Sequence, residues 1–209
     1  MRRLSGIAGL VFVVLAIGAK AVRGSVPSTD SRDAPAKFAR FYAVHSHSTH
    51  ALASAVIGLL SMFFFAWFLG GLWSVLREAE GSVTMPTILI AVGGAGFFVM
   101  GMFGHLTNSV IGVTLHFDKG YRLDTGLAIV MQELSTGAIL AAAMAAGVMT
   151  AAAGWLILRT RALPAWIAWI GFVVTVTALP VVPPLAFLGL IVLAVWTTAT
   201  SVMLLRPTA

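Results

Sequence analysis

Long apolar runs broken by short polar clusters dominate this chain, and the runs are nearly free of charge. The clearest, Ala51 to Val75, covers twenty-five residues without one ionisable side chain. A helix rises about 1.5 Å per residue and bilayer hydrocarbon is about 30 Å thick, so about 20 apolar residues span it. Backbone polar groups in lipid must be satisfied within their own segment, which selects helices. The pattern predicts six spans, at 4–22, 51–75, 85–104, 127–158, 163–179 and 185–205. The expected fold is all-α, a polytopic membrane helix bundle forming one integral membrane domain over residues 1–209.

Punctuation supports those boundaries. Pro86 and Pro164 stand in first turns, where a missing N–H costs little. Pro180, Pro183 and Pro184 predict a tight turn between the last two spans. The fourth span exceeds the hydrocarbon thickness, so its first two turns are expected in the outer interface. After a polar loop, residues 34–47 predict an interfacial helix with Asp33 as cap and Pro35 in its first turn. Phe38, Phe41 and Tyr42 share one face there, with Lys37 and Arg40 off it; a helical extension of the second span reads equally well from the same residues.

Small residues predict which helices sit centrally. Ala142, Ala146, Thr150 and Gly154 form one i, i+4 row of the fourth span, and Ala143, Gly147 and Ala151 the next. Such rows let helix backbones approach closely in lipid. The Gly93-Gly94-Ala95-Gly96 run makes the third span a partner for it. That run lacks the Lys-Ser/Thr of a phosphate loop and lies in lipid, so nucleotide binding is discounted.

Composition agrees with the pattern: 59% of residues are hydrophobic and 10% charged, against roughly a quarter charged in soluble domains. The net charge of +6 is scattered between spans with no basic stripe, which points to membrane lipids and not to nucleic acid. With no cysteine, disulfides, thiolate metal sites and Cys nucleophiles are excluded. The first span, with Arg2-Arg3 before it and Ala19-Lys20-Ala21 at its end, imitates a signal peptide but is expected to stay as an anchor. Arg2, Arg3, Arg77, Arg159, Arg161 and Arg206 fall on one side, against Lys20, Arg23, Arg32, Lys37, Arg40, Lys119 and Arg122. That tally does not decide orientation. The leading helix and the compact Arg clusters favour a cytoplasmic N-terminus in the cell membrane, and Trp67, Trp73, Trp155, Trp166 and Trp169 fall toward the same side.

Candidate chemistry gathers at the other side. His45, His47 and His50 open the second span, His105 and Asn108 follow the third, and His116 and Asp118 are expected in the next loop. Imidazoles with a carboxylate suit Zn or Cu, so His50, His105 and Glu133 form a candidate metal site with His47 as alternate. A haem held between His50 and His105 is a second version, and Met100 and Met102 beside His105 would suit copper. The bland reading makes all of them wet interfacial residues; no H-E-x-x-H spacing is present. Glu133, if well inside lipid, would instead suit proton coupling.

Two boundary motifs resemble those of a known group. Trp67 to Trp73 through Leu76-Arg77-Glu78-Ala79-Glu80-Gly81, and Arg159-Thr160-Arg161-Ala162-Leu163-Pro164-Ala165-Trp166, are similar to boundaries in uncharacterised actinobacterial multi-pass membrane proteins. The ending Val195-Trp196 through Leu205-Arg206 also fits. The resemblance covers about half the chain and implies a six-helix fold of unknown function, with no catalytic residue. The expected role is a membrane-embedded accessory or structural protein, as a homo-oligomer or within a larger membrane complex. The alternatives are an outer-face metal or haem protein and a small proton-coupled transporter.

Overall fold

The structure, a computed structural model, describes residues 2–118, 120–178 and 183–206. These form helices α1 (Arg2–Arg23), α2 (Ala34–Ala43), α3 (His45–Glu80), α4 (Met85–Phe117), α5 (Thr125–Thr160), α6 (Ala165–Thr177) and α7 (Pro183–Leu205), with no strand among the described residues. Helices α1, α3, α4, α5 and α7 are long and apolar enough to cross a membrane, while α6 is a shorter apolar helix of 13 residues. The chain is a multi-pass membrane protein built as an all-α bundle. Pro180 and Lys119 lie outside the described residues.

Six helices close a ring in chain order: α1 packs on α3, α3 on α4, α4 on α5, α5 on α6, α6 on α7, and α7 returns to α1. Small residues make the closure tight. A Cβ on Gly93 would stand 2.7 Å from both the Ala145 carbonyl oxygen and the Met149 nitrogen, and one on Gly6 would stand 2.7 Å from the Ser201 carbonyl oxygen. Along α5, Ala142, Ala143, Ala146, Gly147, Thr150 and Gly154 are buried, as their rows predict for a central helix. α1 is part of this ring, with Phe12 buried inside it.

Aromatic side chains fill the interior. Phe65 meets Phe12, Phe68 and Phe97 at centroid distances of 5.2, 6.2 and 4.6 Å. Trp196, fully buried, packs edge-on against Phe68 and donates its indole N–H to the Ile167 carbonyl at 3.1 Å. Lipid supplies no hydrophobic drive between helices, so this close packing and the small-residue contacts hold the ring together.

Helix lengths divide the molecule. α3, α4 and α5 have 36, 33 and 36 residues, about 50–54 Å, whereas α1 and α7 have 22 and 23, about 33–35 Å. One end of the bundle carries Arg2, Glu80 and Arg159. At the opposite end the longer helices α3, α4 and α5 run on. α3 begins at His45, ahead of the expected span start at Ala51, and α4 runs on to Phe117, beyond the expected span end at Gly104. Polar residues end the lipid-compatible stretch but leave the i→i−4 bonds intact, so hydropathy marks where lipid stops and not where the helix does.

α2 forms where the sequence places a short helix, but its apolar face meets protein. Phe38 is fully buried against Ile111 of α4 and Ala128 of α5. Asp33 occupies the N-cap position without a side-chain capping bond; its carboxylate pairs with Lys37 at 3.0 Å instead. Lys37, with a smaller contribution from Ser31, holds that carboxyl below the usual range. Phe38→Ala is expected to release α2 while leaving the ring intact. Limited proteolysis at Arg32, Lys37 and Arg40 should accelerate severalfold with the bundle's melting transition unmoved; unchanged cleavage would show that Phe38 does not anchor α2.

Candidate functional site

Among the described residues the candidate metal ligands do not come together. His47 stacks on Phe41 with centroids 4.1 Å apart, its Nδ1 2.6 Å from the Phe41 carbonyl oxygen. His50 is exposed, and the side chain of His45 lies outside the described residues. His105 is half-buried with its ring against Gly58, leaving no room for a side chain there. Gly58 is about 12 Å along α3 from His50, so the two imidazoles sit at different levels. Glu133 is exposed in an outward groove between α4 and α5 with Met100, Phe103, Val130 and Leu134. Met102 packs toward the core, and His116 lies in the last turn of α4 and not in a loop. Among the described residues no three His, Cys, Asp or Glu side chains group to hold a metal. Helix phase turns His105 inward onto α3 and leaves His50 and Glu133 exposed, so among the described residues these side chains do not meet.

A polar clamp lies at the end of the bundle opposite Arg2 instead. Arg23, at the end of α1, is only 3% exposed; its Nη2 donates to the Asn108 carbonyl at 2.9 Å and to the Tyr42 hydroxyl at 3.2 Å. The guanidinium carbon lies 5.7 Å from the Phe41 ring centroid, a cation–π contact. Arg23 thus ties α1 and α4 to the end of α2, and it is not the exposed outer cation that the charge tally assumed.

The end that carries Arg2 holds a pocket. A cavity of about 480 Å³ is lined by Arg2, Gly71, Ser74, Val75, Glu78, Ala79 and Ala162. The Ser74 hydroxyl donates to Glu78 Oε1 at 2.9 Å. Beside it, Arg159 pairs with Glu80 at 3.2 Å, joining the ends of α5 and α3, and the Thr84 hydroxyl donates to the same carboxylate at 2.5 Å. Deeper in, Ser5 lies against Gly71 and the Ser201 hydroxyl against Gly9. Thr197, Thr200 and Ser201 are fully buried, and their hydroxyls have no hydrogen-bond partner among the described residues.

These residues escaped the sequence reading, which weighed imidazoles first. The available signal was spacing: Thr197, Thr200 and Ser201 share one face of an apolar span, and Gly71, Ser74 and Glu78 share one face of another. Hydroxyls in apolar helices usually bond back to their own backbone, as Thr198 does to Ala194, so their presence alone predicts little. Comparison with protein-family models, with curated proteins and with solved structures finds no match to this chain.

Proposed function

We propose that this protein is a membrane-embedded accessory or structural protein of the cell membrane, acting through its surfaces and not through a pore or metal centre. The observation that supports this is the aromatic packing across the ring, where Phe12, Phe65, Phe97, Phe68 and Trp196 fill the space a transport path would need. Glu133 faces outward between α4 and α5, so it lines no path through the bundle. Its neighbours Phe103, Val130 and Leu134 are exposed apolar residues, which supports assembly as a homo-oligomer or in a larger membrane complex.

A cytoplasmic N-terminus belongs to the same proposal. The α3–α4 and α5–α6 turns are short, with Arg77 and Arg159 in the last turns of the helices that lead into them and Arg161 in the second. The likeness to uncharacterised actinobacterial multi-pass proteins also remains a proposal, and it bears on fold alone.

Reconstituted into liposomes, the purified protein is expected to pass protons and small dyes no faster than protein-free vesicles. A proton flux abolished by Glu133→Gln would replace this reading with the transporter. Bound metal lost in a His50→Ala/His105→Ala variant would replace it with the metal centre.

A further inference from the structure

Two opposite charges line the inner cavity without neutralising each other. Arg2 and Glu78 both border it, yet the ion pairs among the described residues are Lys37–Asp33 and Arg159–Glu80. Arg2 Nε is buried and has no hydrogen-bond partner among the described residues, which is unfavourable for a group that carries charge. Glu78 takes the Ser74 hydroxyl on one oxygen, a bond that orients the carboxylate without neutralising it. An anionic ligand alone would satisfy Arg2 and be repelled by Glu78, and a cation alone would do the reverse. A ligand bearing both charges satisfies both side chains.

Depth narrows the class further. Arg2 and Arg3 immediately precede the first apolar run, and Glu78 follows Arg77 one turn beyond Trp73, so the cavity opens at headgroup level. Its volume of about 480 Å³ suits a small molecule or a headgroup with its glycerol. Gly71, Val75 and Ala162 supply apolar wall for the less polar end. We propose that this cavity binds a phosphate-and-primary-amine headgroup of the phosphatidylethanolamine type, its phosphate on Arg2 and its ammonium on Glu78. A primary ammonium has N–H donors for the Glu78 carboxylate; a quaternary ammonium has none.

The test uses the full chain in detergent with short-chain phosphatidylethanolamine, phosphatidylcholine and phosphatidylglycerol, read by native mass spectrometry. Wild type is expected to bind the ethanolamine lipid about tenfold more tightly than the other two, the worth of one charge-assisted contact. Glu78→Gln should erase the preference over phosphatidylcholine, and because Glu78 is exposed this variant should keep its fold and elution volume. Arg2→Gln should weaken both zwitterionic lipids by about tenfold. Soluble glycerophosphoethanolamine forms the second arm. Competition by it supports the site with a free zwitterion as the source, and failure to compete supports the site with the bilayer as the source. Equal binding of the three lipids by wild type, or an ethanolamine preference unchanged in both variants, overturns the proposal.

Discussion

Trp196→Ala is expected to be the most destabilising single substitution in the bundle, by about 3–5 kcal/mol. Trp196 is fully buried where α3, α6 and α7 meet, against Phe68 and under the Ile167 carbonyl. Truncation leaves a void that rigid neighbours fill only in part. The loss is mainly one of dispersion contacts, since lipid is as apolar as the site being vacated. Trp196→Phe separates the contributions: it keeps most of the ring contact and removes only the indole hydrogen bond, so about 0.5–1.5 kcal/mol should be lost. Thermal unfolding of both variants in one detergent measures the difference. Equal losses would mean that the hydrogen bond, and not the packing, holds α7 against α6.

Gly93→Val should cost about 1–3 kcal/mol or more, because the new side chain meets backbone and not a movable side chain. Its Cβ would stand 2.7 Å from Ala145 O and Met149 N and 3.1 Å from Met149 Cα, so α4 and α5 must separate to admit it. At this chain length each kcal/mol lowers the melting temperature by about 2–4 °C. Gly70→Ala is the internal control: nothing lies within 4 Å of a Cβ there, and helix propensity should favour the change by about 0.5–1 kcal/mol. If both substitutions shift stability alike, glycine's helix propensity and not close approach explains Gly93.

The spans were legible because lipid is a solvent with a simple demand. Ala51 to Val75 has no charge over a length that fills the hydrocarbon, and a helix is the expected answer. The centrality of α5 was legible for the same kind of reason, since Ala142, Ala146, Thr150 and Gly154 recur at helical spacing. The outer helix ends were not. His105, Asn108 and His116 look like the approach to a loop, yet α4 runs through all three because a helix in water tolerates polar residues.

The candidate sites were less legible still. His105 packs onto Gly58 of α3, whereas Glu133 lies in the groove between α4 and α5 and His50 is exposed. Phase within one helix can be read from spacing; the rotation of one helix against the next cannot. Arg2 and Glu78, 76 positions apart in the chain, become neighbours only once α1 docks on α3.

Composition and periodicity alone thus determined the membrane-spanning helices and which of them is surrounded, because lipid and helix geometry act residue by residue. Tertiary structure alone decided that the ring closes through α7 and α1, that aromatics fill it, and that Arg2 and Glu78 share one cavity. Those outcomes depend on how rigid helices rotate and slide until side chains interlock, a property of pairs that no single stretch of chain encodes.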